Sequence, residues 1–217
     1  MAAGNSVLVL QIQEGIETLK IQNFTDSTIP ETLNGESGFH IYNVRMMTEL
    51  ILRQLREDHI YAFLDEDVEA IVLASCLHDI GKSRIPKSIL NYPGKLSFEK
   101  YDIIKKHVVL GENIIRELDF GVIGLKVKQY AMEIARAHHE RYDGTGYPDG
   151  LKGDEIPVSA QIVALADAYD ALVSNRSYKE AFSPDIAFQM ISSGGCGRFS
   201  ESLLSCLGKI VNHNRVL

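Results

Sequence analysis

Five of the seven histidines in this 217-residue chain fall in a few tight contexts on or at the ends of expected helices: His40, His78, His107, His138 and His139. His78 is followed directly by Asp79, His138-His139 runs into Glu140, and Glu36 precedes His40 by four residues. Residues at i and i+4 share a helix face, so Glu36 and His40 are expected to reach one site together. Adjacent helical residues diverge by about 100°, so His138 and His139 are expected to straddle a site, as two nearby metals would require. Asp167 falls in the apolar run Ala164-Leu165-Ala166-Asp167-Ala168. A buried carboxylate there needs a charge partner, and a metal is the economical one. Imidazole with carboxylate and no thiolate suits octahedral iron or manganese better than a closed structural zinc site. Two such ions about 3.5–4 Å apart polarise a phosphoryl oxygen and activate water, so hydrolysis of a phosphate ester is the natural chemistry. Each piece alone has an ordinary explanation: a satisfied histidine, a core histidine, a carboxylate paired with Arg176. That explanation would have to hold five times over.

The elements that must position these residues are helical. Apolar residues recur at helical spacing through most of the chain, strand signals are almost absent, and the fold class is all-α, with about seven to eight helices. Leu8, Ile12, Ile16 and Leu19 form a first stripe, which suits either a capping helix or a linker to a sensor domain. Asn23–Gly35 reads as a loop, dividing the chain into residues 1–35, a helix and linker, and residues 36–217, the main domain. Helices are expected over Glu36–Arg56 and Asp65–Asp79, with Gly81 as the stop of the second. Ser97 caps a long helix through His107 and Ile115, and Gly124–His139 forms another. Arg141–Gly153 is a long loop with four glycines and Pro148. Pro157 opens the helix that carries Asp167, Ser183-Pro184-Asp185 starts the next, Gly194-Gly195 ends it, and Ser200 caps the last.

Composition narrows the function. Lys+Arg total 22 against Asp+Glu 29, a net charge of −7 with histidine neutral. That balance argues against a binder of polymeric nucleic acid or of a membrane surface. Cys76, Cys196 and Cys206 form no CxxC pair and are expected to stay reduced, which fits a cytoplasmic protein. Cys76 reads as a small core residue, and His59 and His213 as surface residues. No apolar run approaches the length of a membrane span, and the first ten residues carry no signal-peptide pattern.

The order of the residues resembles a known family. The run is Glu36-Ser-Gly-Phe-His40, His78-Asp79-Ile-Gly-Lys82, Lys106-His107, His138-His139-Glu140-Arg-Tyr-Asp143-Gly144-Thr-Gly146-Tyr147-Pro148, Asp167-Ala-Tyr-Asp170 and Arg176-Ser-Tyr-Lys179. Over about Glu36 to Phe199 it resembles the HD-GYP subgroup of the HD-domain metal-dependent phosphohydrolases. The resemblance implies a helical HD fold with an extended loop and a centre of two or three divalent metals, commonly iron or manganese. It implies hydrolysis of cyclic di-GMP to linear pGpG or GMP by attack of a metal-bridged hydroxide on phosphorus.

By position in the pattern, His40, His78, Asp79 and Asp167 correspond to the shared HD ligands. His107, His138 and His139 correspond to those added in the subgroup. Glu36 matches the glutamate that accompanies a third metal, and Asp79 is placed to bridge two. Lys82 matches the lysine near the scissile phosphate, and Arg176 and Lys179 match residues that hold the substrate phosphates; outside this pattern all three would read as solvated surface cations. Tyr147 offers two roles, stacking a purine or packing beneath the metals. Asn43 stands where the family usually has arginine, Val108 where it often has proline, and Arg198-Phe199-Ser200-Glu201 where it has Phe-Asp-Pro. None of these departures removes a ligand. Other cyclic dinucleotides such as 3′3′-cGAMP, a weakly catalytic sensor acting through protein contacts, a homodimer and a fused regulatory domain remain open.

Overall fold

The computed structural model describes residues 32–33, 36–120, 124–175 and 180–213. The N-terminal stripe, Arg176 and Lys179 lie outside the described residues. The architecture is helical: α1 (Gly38–Glu57), α2 (Asp65–Ser75), α3 (Lys87–Leu90), α4 (Phe98–Lys105), α5 (His107–Glu117), α6 (Leu125–Ala137), α7 (Val158–Val173), α8 (Pro184–Ser192) and α9 (Glu201–His213). Two 3₁₀ turns, Ile80–Arg84 and Gly153–Glu155, join them. A short antiparallel hairpin, Thr32–Leu33 with Glu36–Ser37, precedes α1. Glu36 is therefore extended, facing Leu33 across the hairpin, and helix begins only at Gly38. The expectation that Glu36 and His40 share one helix face is corrected on this point.

The core is built from amphipathic stripes. α1 buries Ile41, Val44, Thr48, Ile51, Leu52 and Leu55, a three-to-four-residue spacing along one face. It packs on α2, α7 and α9, while α6 packs on α2, α5 and α7. α7 is buried nearly throughout, so its sequence reads as a continuous apolar run. Cys76 and Cys206 are buried, and His59 and His213 are exposed. Among the described residues no helix is long and apolar enough to cross a membrane.

Caps stand where the residue types place them. The Ser97 and Ser183 hydroxyls accept from the N–H groups of Lys100 and Ile186, and the Ser200 hydroxyl accepts from Leu203. Two expected helices are shorter than their patterns. α2 ends at Ser75, not Asp79: the Ser75 hydroxyl donates to the Val72 carbonyl, and the Cys76 N–H bonds Leu73 in a tightened last turn. The long helix from Ser97 breaks at Lys106, where the Lys106 N–H turns to the Ile103 carbonyl. With that break and the one-turn α3, nine α-helices stand among the described residues, and the all-α class holds.

Gly81 does not stop a helix. It lies inside the 3₁₀ turn that presses on α5, and an added Cβ would sit 1.9 Å from the His107 carbonyl oxygen and 2.5 Å from the Gly111 nitrogen. Both obstacles are backbone, so nothing can swing aside. Gly81→Ala is expected to cost about 1–3 kcal/mol of stability, read as a lower urea midpoint. An unchanged midpoint would show that the 3₁₀ turn does not pack on α5 this closely.

Candidate metal centre

Each histidine is delivered by an end or an irregular stretch of a helix. His40 lies in the first turn of α1, and His78 and Asp79 lie in the turn after α2. His107 opens α5, His138 and His139 follow the last residue of α6, and Asp167 lies within α7.

Three histidines are fixed by one device. The Nδ1 of His78 lies 2.8 Å from the Ser75 carbonyl, that of His107 2.7 Å from Ile104, and that of His138 2.9 Å from Ile134. A carbonyl only accepts, so Nδ1 carries the proton in each ring and Nε2 keeps its lone pair. His40 is fixed by a carboxylate instead, with Nδ1 2.7 Å from Asp170 Oδ2. Asp170 also accepts from Asn43 (2.8 Å) and from the Ser174 hydroxyl (2.6 Å). Burial opposes its charge, yet the bonds from His40, Ser174 and Asn43 hold its carboxyl below the usual carboxylate range.

The fixed rings converge on Asp79. Its Oδ1 lies 3.1 Å from His107 Nε2 and 3.7 Å from His138 Nε2, and its Oδ2 lies 3.3 Å from His78 Nε2. Two groups result, each with ligand atoms within 4.8 Å of one another: Asp79, His107, His138 and His139 in one, and His40, His78 and Asp167 in the other. Asp79 belongs to the first and touches His78 of the second. His138 and His139 do not diverge as neighbours within a helix would. They lie past the end of α6, their rings are 4.2 Å apart, and both join the same group.

Electrostatics follows from burial and proximity. Burial disfavours the charge on Asp79, but His78, His107 and His138 around it hold its carboxyl well below the usual carboxylate range. Burial alone would keep His78 neutral; without a metal the adjacent Asp79 outweighs it and raises the ring to about 9, so the second proton sits on Nε2, where a bound cation would displace it. Burial lowers His138. It also lowers His139 well below the ordinary range, helped by His138 and His107. Lys82 places its Nζ 2.7 Å from Asp79 Oδ2, beside the groups rather than in them.

The Arg141–Gly153 loop closes one side. Tyr147 stacks on His139 with ring centroids 4.9 Å apart, so packing against the site is a role it plays. The buried Glu140 carboxylate accepts from the backbone N–H groups of Asp149 (2.7 Å), Gly150 (3.1 Å) and Leu151 (3.1 Å), folding the loop back on its own root. Arg136 holds Asp149 through two contacts of 2.8 Å. Gly146 approaches so closely that a Cβ would sit 2.4 Å from the Arg141 nitrogen and from Glu140 Cα. Asp170, Glu140 and Arg136 act here as positioning residues; sequence reading places Asp170 near the centre without a defined role and gives none to Glu140 and Arg136. Asp170 has a legible signal, since it stands one helical turn from Asp167 on α7. The side chain of Glu36, like Arg176 and Lys179, lies outside the described residues.

The residues present fit divalent ions. His78 Nε2, His107 Nε2, His138 Nε2 and Asp79 Oδ1 are buried without a hydrogen-bond partner, yet they point at one another. Buried polar atoms are normally satisfied, and a shared cation satisfies lone pairs that cannot donate to each other.

Comparison with known proteins agrees. A model described as an HD domain matches residues 47–202. The chain is 38% identical over 194 residues to a cyclic di-GMP phosphodiesterase of Thermotoga maritima, covering 89% of this chain and 49% of that protein. It is 38% identical over 169 residues to 3′3′-cGAMP-specific phosphodiesterase 2 of Vibrio cholerae, covering 78% of this chain and 30% of that protein. The structure of an HDG"Y"P protein from Bdellovibrio bacteriovorus superposes with a TM-score of 0.58 at 19% identity, covering 97% of this chain and 62% of that one, and shares the fold. The chain belongs to the HD-domain family, with the motifs of its HD-GYP branch. It spans less than half the length of these two curated relatives.

Because Asp170 orients His40 through a charged hydrogen bond, Asp170→Asn is expected to weaken metal affinity by about 10- to 100-fold. Competition against a fluorescent chelator would read this, with circular dichroism to confirm the fold. Unaltered affinity would remove Asp170 from the site. Glu140→Ala strands three backbone donors and is expected to cost at least about 2 kcal/mol. Proteolysis within Arg141–Gly153 should accelerate accordingly.

Proposed function

We propose that the chain is a metal-dependent phosphodiesterase that hydrolyses cyclic di-GMP to linear pGpG or GMP. The observation that supports this most is the pair of histidine–aspartate groups meeting at Asp79, with Nε2 lone pairs directed inward. Relatives named as cyclic di-GMP phosphodiesterases point to the same substrate class. In this reading residues 36–217 form the catalytic domain, and residues 1–35 a helix and linker.

His40, His78, Asp79, His107, His138, His139 and Asp167 would hold two divalent ions, iron or manganese, and Glu36 would serve a third. Ions bound there supply Lewis acidity toward a phosphoryl oxygen and a water acidified to near-neutral pKa. The chain's own residues do the rest. Asp79 brings both groups to one carboxylate and fixes their spacing. The backbone carbonyls of Ser75, Ile104 and Ile134 hold three rings in the tautomer that leaves Nε2 available. Lys82 carries an ammonium at the edge of the site, and a phosphate oxygen or the departing ribose oxygen can replace Asp79 as its partner. Arg176 and Lys179 would bind the phosphates, the arginine through two parallel bonds. Tyr147 and the loop behind it screen the metal-facing rings from bulk water.

A second substrate, 3′3′-cGAMP, is favoured by the relatives that act on it by name. A panel of cyclic di-GMP, 3′3′-cGAMP and cyclic di-AMP with protein loaded with iron or manganese separates these readings. Turnover of cyclic di-GMP is expected, falling by roughly 10³-fold or more in Asp79→Asn. No turnover of any cyclic dinucleotide would overturn the proposal, and preference for 3′3′-cGAMP would replace the substrate.

A further inference from the structure

One face of α4 has no packing explanation. The helix buries none of its residues fully. Phe98 is 73% exposed and Tyr101 46% exposed, while Lys105 lies one turn beyond Tyr101 on the same face. A single exposed ring is ordinary, whereas neighbouring exposed rings on one face form the kind of contiguous apolar patch that marks a binding surface.

The face is not isolated from the metal centre. The Lys105 Nζ lies 5.7 Å from the Phe98 ring centroid, 5.5 Å from that of Tyr101 and 5.9 Å from that of Tyr147. Tyr147 in turn stacks on His139. One aromatic ring therefore separates Lys105 from a candidate metal ligand. The present ionic partner of Lys105 is Asp102, an exposed neighbour on the same helix, and such pairs are weak and screened. Tyr92 nearby is different: Lys100 covers its ring at 3.2 Å.

We propose that Phe98, Tyr101 and Lys105, beside Tyr147, form a purine subsite that reads guanine. The inference rests on the phosphodiesterase reading above and adds to it the residues that choose the base. A nucleobase hangs one ribose away from the phosphorus that reacts, so its subsite must lie beside the metal groups rather than within them. Aromatic rings accept any base by stacking. The ammonium supplies the choice. It has three donors and no acceptor, guanine offers O6 and N7 as acceptors, and adenine presents a donating amino group in the place of O6.

The test compares wild type, Tyr101→Ala, Lys105→Met and Tyr92→Ala. Binding of cyclic di-GMP, 3′3′-cGAMP and cyclic di-AMP to metal-free protein would be followed by calorimetry. Turnover by manganese-loaded protein would be followed on the same three substrates and on bis(p-nitrophenyl) phosphate, which carries no purine. Tyr101→Ala is expected to raise the Kd for cyclic di-GMP by about 5- to 150-fold. Lys105→Met is expected to erase a guanine-over-adenine preference of about the same size. Both should lose more on cyclic di-GMP than on bis(p-nitrophenyl) phosphate, and Tyr92→Ala should match wild type. If wild type turns over cyclic di-GMP while Tyr101→Ala and Lys105→Met bind and discriminate as it does, the subsite is wrong and the phosphodiesterase reading stands. If wild type cleaves only bis(p-nitrophenyl) phosphate and binds no cyclic dinucleotide, both fall together.

Discussion

Asp79 keeps its charge at 5% exposure, and the rest of the centre is organised around that fact. A lone carboxylate so deep would be driven to protonate. Here the rings of His78, His107 and His138, together with the Lys82 ammonium, surround both of its oxygens. Those groups come from the turn after α2, which runs on into the 3₁₀ turn, from the start of α5 and from the end of α6. Three separate pieces of chain must therefore meet within a few ångströms, and the helical packing has to deliver them to one point.

The delivery uses helix termini, because that is where backbone groups are left over. The last carbonyls of a helix have no intrahelical partner. His78, His107 and His138 bond carbonyls three or four residues back, at or beside the ends of α2, α4 and α6. Each bond fixes a ring tautomer and satisfies a carbonyl at once. Fold and site thus share the same hydrogen bonds. The Gly81 contact with His107 and Gly111 has the same character, since only a residue without Cβ lets the Asp79–Lys82 turn approach the base of α5.

This sharing explains what was legible in the sequence and what was not. Helical periodicity and serine caps located the helices, because those signals are local. The histidine and aspartate pattern located the candidate ligands, because chemistry restricts residue type. Helix ends near the site depart from the local pattern. Asp65–Asp79 reads as one helix by its apolar spacing, and the chain leaves that path at Ser75 to present His78 and Asp79. The Ser97 helix likewise breaks one residue before His107. Local pattern favours continuation there, and the tertiary demand of the site overrides it. Glu140 was hidden for another reason: its partners are backbone amides nine to eleven residues on, which no spacing of side chains announces.

The metal groups cannot by themselves separate one cyclic dinucleotide from another, since every such substrate presents the same phosphodiester. Discrimination has to come from the surface one sugar away. Lys105 stands there among exposed rings, ion-paired with Asp102 on its own helix. Bound dications would make the inner pocket attractive to any phosphate. In the proposed subsite, an outer wall of rings and one ammonium would add what they lack, a face for a base and a donor that distinguishes guanine from adenine. If the proposed subsite is correct, the buried centre and the open face of α4 divide the work, the first acting on the phosphodiester that cyclic dinucleotides share and the second on the base that differs.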